Sequence, residues 1–236
     1  MRTSHMSGGL LLLFQAFFLF APMAILGGAI DWPASLDFPP AQTLPLIHEQ
    51  AAAVKLGYGL YLGWSLVFAF SAALVVGYAK GDRPLGSLAV LAIGLGVASA
   101  LARAIGIVRW LTGSSALASA YATSPEGSAE RVAIETTQLA LNAYGGSIGE
   151  DLGVSIFASL WLACAGAVIL RDRGLPAWLG WAAFPVAAVA AMPALSIVGV
   201  TSPVDVVIAT AAMLFWIAAA GLMVLLRAFR RPAATV

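Results

Sequence analysis

The chain reads as an all-α, polytopic transmembrane bundle of six helices with both termini cytoplasmic. Three observations predict this. Of 236 residues, 61% are hydrophobic and 10% charged, and mean hydropathy is +0.94, far from the balance of a soluble domain. Uncharged runs of the roughly 20 residues needed to cross a hydrocarbon core recur along the whole length. The basic residues are concentrated in alternate short loops, which fixes a side for each end of every span.

The first span, about residues 8–30, follows Arg2. Its apolar run from Met6 to Ile30 is too long for the core of an ordinary signal peptide, and no clean small-x-small cleavage site precedes Trp32. It therefore reads as a retained helix, bent at Pro22. External loop 31–50 carries Pro33, Pro39, Pro40 and Pro45 and is expected to be irregular, as a cap over the external mouth or as a linker. The second span, 54–79, ends in Lys80-Gly-Asp-Arg-Pro84: a basic helix end, a C′ glycine and a helix-opening proline.

The third span, 85–111, is uncharged as far as Ala102 and then carries Arg103 and Arg109. The second external region, 112–145, starts with small polar residues and turns helical after Ser124-Pro125, with Val132, Leu139 and Tyr144 near a helical period. A straight helix from Ala129 to Leu170 would be about 60 Å long, twice the hydrocarbon thickness. A bend is therefore expected near Gly145-Gly146, where the fourth span, 146–170, begins. Arg173-Gly-Leu-Pro176 repeats the tight-turn design before the fifth span, 176–199, which Pro185 and Pro193 should bend. Ser202-Pro-Val-Asp205 offers a cap, an N1 proline and an N3 acid to the sixth span, 204–227.

The net charge of +1 conceals strong sidedness. Arg2, Lys80, Arg83, Arg171, Arg173, Arg227, Arg230 and Arg231 all fall on one side of this arrangement. Asp31, Asp37, Glu49, Glu126, Glu130 and Asp205 fall on the other. The basic side is cytoplasmic by the positive-inside rule.

Lipid tails weaken the hydrophobic drive between helices, so small residues must bring backbones together. Gly94, Ala98, Ala102 and Gly106 form such a ridge on the third span, and Gly145, Gly149 and Gly153 on the fourth. The two helices are expected to touch. The same small-residue faces could seat a membrane protein partner or a second copy, besides the lipid bilayer itself. Trp32 and Trp110 outside, with Trp178 and Trp181 inside, sit where interfacial anchors belong.

Ionisable residues within spans are functional candidates. Arg103 lies 18 residues past Leu85, about 27 Å of helix. Glu150 lies 20 residues before Leu170, about 30 Å from the same cytoplasmic level, and Lys55 stands 24 residues, about 36 Å, from Ala79. The three therefore share an outer charged layer. Arg103 is expected to meet Glu150 or Asp151, either as an inter-helix ion pair or in the wall of an externally open polar pocket. Asn142, Glu135, Arg109, His48 and Glu49 are candidates for its rim. Glu150 and Asp151 are adjacent and diverge by about 100° on a helix, so they cannot both aim at one partner.

Several chemistries are excluded. Only His5 and His48 are present, neither within a span, so intramembrane haem ligation by histidine pairs and HExxH-type metal sites are ruled out. The final span has no lysine for a retinal Schiff base. There is no P-loop and no dinucleotide fingerprint. Cys164 is the single cysteine and cannot form an internal disulfide. No dense basic patch with interleaved aromatics suggests a nucleic acid. No cofactor, metal or catalytic residue is assigned.

Four segments together carry a resemblance. They are the proline-rich first external loop, Leu101-Ala-Arg103, Asn142-x-Tyr-Gly-Gly-x-Ile-Gly-Glu150 and Leu175-Pro-Ala-Trp-Leu-Gly180. Across roughly the whole bundle the chain resembles an uncharacterised bacterial six-span membrane family classed as a domain of unknown function (4386-type). Members of that family tend to carry an acid soon after the third-span arginine, where this chain has Gly106 and Ile107. The resemblance implies the topology and a bacterial inner membrane, and no activity. The functional expectation is a non-enzymatic membrane protein that binds a small ligand or a partner subunit. A secondary transporter or ion-pathway protein is the alternative, and an enzyme acting on lipid or isoprenoid a further one.

Overall fold

A computed structural model describes residues 2–230; Met1 and residues 231–236, Arg231 among them, lie outside the described residues. Ten α-helices and no β-strand occur among the described residues: α1 (Arg2–Phe17), α2 (Phe20–Ile30), α3 (Pro40–Glu49), α4 (Ala51–Lys80), α5 (Ser87–Leu111), α6 (Gly113–Thr123), α7 (Ala129–Gly146), α8 (Ala158–Asp172), α9 (Ala177–Ala191) and α10 (Val206–Arg230). Among the described residues, six helical stretches are long and apolar enough to cross a membrane: Thr3–Ile30, Ala51–Lys80, Ser87–Thr123, Ala129–Asp172, Ala177–Val198 and Val206–Phe229. The protein is a multi-pass membrane protein. Phe70, Phe215 and Phe229 are exposed on α4 and α10, as lipid-facing side chains should be.

The prolines act where their chemistry requires. Pro22 cannot donate to Phe18 O, and its ring crowds that carbonyl, so the first span breaks between α1 and α2 and Ala21 N takes Phe18 O at 3.0 Å. Pro193 cannot donate to Val189 O; Met192 N bonds that carbonyl instead, and α9 tightens into a 3₁₀ turn over Met192–Val198. Pro185 lies within α9 without ending it.

The expectation of an irregular loop over 31–50 is wrong for its second half. Pro40 sits at the first helical position of α3, where a missing N–H costs nothing, and Pro45 removes a single intrahelical bond. Only Ala34–Leu36 forms a further 3₁₀ turn. The reading of 112–123 as a loop is also wrong. Ser114, Ala118 and Tyr121 recur at helical spacing as the buried face of α6, and alanines between them favour helix.

Three terminus assignments shift. α10 starts at Val206, so Asp205 is its N-cap rather than an N3 acid, accepting from Ile208 N at 2.8 Å. Pro84 lies before, not at, the start of α5. In the second tight turn the left-handed residue is Arg173 (φ 60°), not Gly174. Gly174 is needed for closeness instead: its N–H donates to Ala79 O at 2.9 Å, and a Cβ there would collide with the Tyr78 and Ala79 carbonyls.

At Gly145-Gly146 the α-helix changes character rather than ending in a loop. α7 runs into an eleven-residue π-helix, Ser147–Phe157, which joins α8. In a π-helix each N–H skips to the fifth preceding carbonyl, which widens the turn. The rise per residue shrinks accordingly, so the height worked out for Glu150 with α-helical geometry is too large.

The chain divides into two compact units. One comprises Met1–Phe17, Leu66–Leu101 and Glu150–Val236; the other comprises Phe18–Ser65 and Ala102–Gly149.

In the first unit, paired glycines join helices. Gly9 meets Gly221 between α1 and α10, where a Cβ on Gly9 would stand 3.0 Å from Gly221 O. Gly166 meets Gly180 between α8 and α9, a Cβ on Gly166 standing 2.9 Å from Gly180 O. Trp161 packs edge-on against Phe68 and Trp216. Both buried indoles find carbonyls, Trp161 at Ala72 O (3.4 Å) and Trp216 at Leu179 O (2.9 Å). At the two tight turns, Asp172 accepts from Arg171 through two 2.8 Å bonds and from Arg83 at 3.3 Å, while Arg227 donates to Gly174 O. Trp178 and Trp181 are exposed, as anchors would be.

In the second unit the core is built by Leu26 and Ile30 of α2, Leu44 and Ile47 of α3, Val54 and Tyr58 of α4, Ile107 and Trp110 of α5, Ala118 and Tyr121 of α6, and Ile134 of α7. Trp110 is thus a core residue, 2% exposed, and not an interfacial anchor. Its place is decided by Tyr58, which stacks on it at 4.9 Å with the rings 6° from parallel.

Candidate functional site

Two buried charged residues, Arg103 (2% exposed) and Arg109 (8%), lie in the second unit. α5 aims them by its period. Arg103, Ile107 and Trp110 recur at i, i+4 and i+7 and line one stripe. The Arg103 guanidinium lies over the Trp64 ring of α4, 5.5 Å from its centroid, and Trp64 tilts against Tyr61 at 5.6 Å. Tyr58, Tyr61 and Trp64, three residues apart along α4, therefore make an aromatic wall beside this stripe. Trp32 closes on Tyr61 edge-on at 6.3 Å.

The neighbouring stripe of α5, Ala102, Gly106 and Arg109, meets α7. A Cβ on Gly106 would stand 2.7 Å from Gly149 Cα and 3.0 Å from Gly145 O, so both ridges are needed to let the backbones touch. The predicted contact between the third and fourth spans is present here. Gly94, by contrast, has nothing within 4 Å of where a Cβ would sit, so the ridge does not pack along its full length.

Arg109 lies along the Gly145 surface. Its Nη1 donates to Gly106 O at 2.8 Å and its Nε to Asn142 Oδ1 at 3.4 Å, and its guanidinium stands 5.2 Å from the Trp110 ring centroid. Further along α7, Glu135 accepts from the Tyr121 hydroxyl at 3.0 Å, and Arg131 covers the same ring at 4.0 Å. Arg109, Asn142 and Glu135 are thus buried or half-buried members of one polar seam beside α7.

Lys55, His48 and Glu49 do not join it. α3 buries Pro40, Thr43, Leu44 and Ile47; Glu49 falls on the opposite face, and His48, at the flank of the buried stripe in the last turn, is exposed as well. α4 turns Val54 and Tyr58 inward, and Lys55 falls on the exposed side between them. The charged layer expected from height alone is divided by helix rotation, which height arithmetic ignores.

Glu150 and Asp151 belong to the first unit and lie in the π-helix, both half-buried. Asp151 accepts from the Ser196 hydroxyl at 3.2 Å, and that hydroxyl also lies 2.9 Å from Pro193 O. Close by along the chain, Ser99 donates to Gly153 O at 2.6 Å, binding α5 to the π segment within this unit. Among the described residues, no group of histidine, cysteine or carboxylate side chains could hold a metal ion.

Sequence reasoning misses Trp64, Tyr61, Gln138 and Ser114. The aromatic spacing on α4 is visible in the sequence but blends into an apolar span. Gln138 is wholly buried on α7, four residues from Ile134 and from Asn142. Nothing in the sequence singles it out, because an α7 lying outside the bundle would leave a glutamine in water, where it needs no explanation.

A comparison with curated proteins and another with solved structures each returned no match. The family model described as a domain of unknown function, DUF4386, matches residues 6–227, which takes in every span and the whole polar seam. The chain therefore belongs to the DUF4386 family.

Proposed function

We propose that this protein is a non-enzymatic small-ligand-binding protein of a bacterial cytoplasmic membrane, with both termini cytoplasmic and residues 31–50 and 112–145 external. The observation that carries the reading is the pairing of each buried arginine with a tryptophan face in one unit, Arg103 on Trp64 and Arg109 on Trp110. A guanidinium held against an indole face sets a charged group beside an apolar surface, which suits a molecule with a polar head and an apolar body. The distribution of basic residues in the short loops supports the orientation.

Native mass spectrometry of protein extracted in its own lipids tests this. The wild type should retain a discrete bound mass that is lost in Arg103→Lys, which keeps the charge and removes the planar stack, with the fold retained by circular dichroism. Finding the same phospholipids and nothing else on both proteins would sink the reading. Substrate flux in proteoliposomes without stoichiometric retention would favour transport instead.

A further inference from the structure

Gln138 is 0% exposed, and neither its amide nitrogen nor its amide oxygen has a hydrogen-bond partner among the described residues. A buried primary amide left unpaired is costly, and native structures rarely keep one without a use. Its position is defined by its neighbours on α7. Ile134, one turn before it, joins the buried cluster with Ala118 and Tyr121 of α6. Glu135 is tied to Tyr121 on one side of it and Asn142 to Arg109 on the other, so the polar seam is paired above and below Gln138 and unpaired at it.

Ser114 of α6 repeats the pattern. It is also 0% exposed, its hydroxyl has no partner among the described residues, and it lies one turn before Ala118 on the face that carries Tyr121. α6 and α7 pack as an antiparallel pair in which Leu141, about one turn beyond Gln138, covers Gly113. Two unpaired polar side chains therefore adjoin the same buried cluster from facing helices.

Resting on the ligand-binding reading above, we propose that Gln138, assisted by Ser114, completes the head-group site of that ligand one turn along α7 from the Arg109–Asn142 pair, and that it takes an apolar molecule with an amide-type head. A primary amide presents a donor and an acceptor side by side and so pairs in a closed two-bond ring with another amide, lactam or imide edge. An ester or ether offers acceptors only and leaves one side of Gln138 unmet. Ser114 supplies a third hydrogen bond to the remaining acceptor lone pair. The adjoining apolar cluster, which holds Ile134 and Ala118 together with Tyr58 and Trp110, suits an apolar body.

Octanamide and methyl octanoate share an apolar chain and differ in the head's donor, so they separate recognition from partitioning into detergent. Purified full-length protein should be stabilised against heat by octanamide and much less by the ester. Gln138→Leu should lower the octanamide affinity by about tenfold or more, the ratio that follows from losing one buried hydrogen bond. Ser114→Ala should weaken it by a smaller factor. Without ligand, Gln138→Leu should unfold no earlier than wild type, because the leucine leaves no unpaired group, and this keeps the variant interpretable. Equal shifts from amide and ester, or an octanamide shift unchanged in Gln138→Leu, would overturn the proposal. Stability lost in Gln138→Leu without any probe, together with no octanamide effect on wild type, would assign the amide to a bound structural water and overturn it as well. A discrete bound mass retained by Gln138→Leu would reject this site while leaving the ligand-binding reading intact.

Discussion

Gly106→Ala tests the close approach of α5 and α7 most directly. The added methyl would stand 2.7 Å from Gly149 Cα, 3.0 Å from Gly145 O and 3.1 Å from Gly149 N, and every one of these is backbone. Ordinary contact begins near 3.4 Å, so relief needs a separation of 3.4 − 2.7 = 0.7 Å between two helices rather than a rotamer change. Such a movement would stretch the Arg109 Nε to Asn142 Oδ1 bond, already 3.4 Å, beyond hydrogen-bonding range. Overpacking of this kind costs about 1–3 kcal/mol, and the gain in helix propensity on replacing glycine, up to about 1 kcal/mol, offsets only part of it. Gly94→Ala is the internal control. It has the same chemistry on the same helix with nothing within 4 Å, so only the propensity gain applies. Thermal unfolding in one detergent should place Gly106→Ala clearly below wild type and Gly94→Ala level with it or above. If the two variants unfold together, the close approach of α5 and α7 is not what holds the second unit.

Two further outcomes follow from single contacts. Asp205→Ala removes the acceptor for Ile208 N at the start of α10 and should cost about 1 kcal/mol by chemical unfolding, with Asp205→Asn restoring most of it. Trp216→Phe deletes the donor to Leu179 O in a buried setting and should cost about 1–3 kcal/mol, with loss of the tryptophan fluorescence shift on unfolding that this indole contributes.

The spans and the family are legible in the sequence because both depend on local properties. Runs of apolar residues long enough to cross a bilayer need no knowledge of partners, and neither do the short motifs around Arg103, Glu150 and Pro176. The helices of 40–49 and 113–123 escape a reading that weighs proline and small polar residues singly. Pro40 is harmless at a first helical position, and the serines of α6 share a helix with alanines. The candidate site is half legible. Residue type draws attention to Arg103, Arg109 and Asn142, but height along a helix says nothing about rotation around it. Rotation sends Lys55 and Glu49 outward and brings Tyr58, Trp64 and Gln138 inward. The tryptophan at 110 shows the same limit: an end-of-span position suits an anchor, and only the stacking partner across the core decides otherwise.

The π-helix of Ser147–Phe157 has a consequence for anyone comparing members of this family by position. An α-helical wheel drawn continuously from Asn142 to Trp161 drifts out of phase across the segment, because each wide turn consumes an additional residue. Residues that look co-facial on such a wheel are not, and a one-residue gap in an alignment there need not signal a lost contact. The wide turns can surrender a residue and revert to α-helix while Gly145 and Trp161 keep their own neighbours. Losing or gaining one residue within 147–157 would therefore turn Glu150 and Asp151 about the helix axis without rebuilding the bundle.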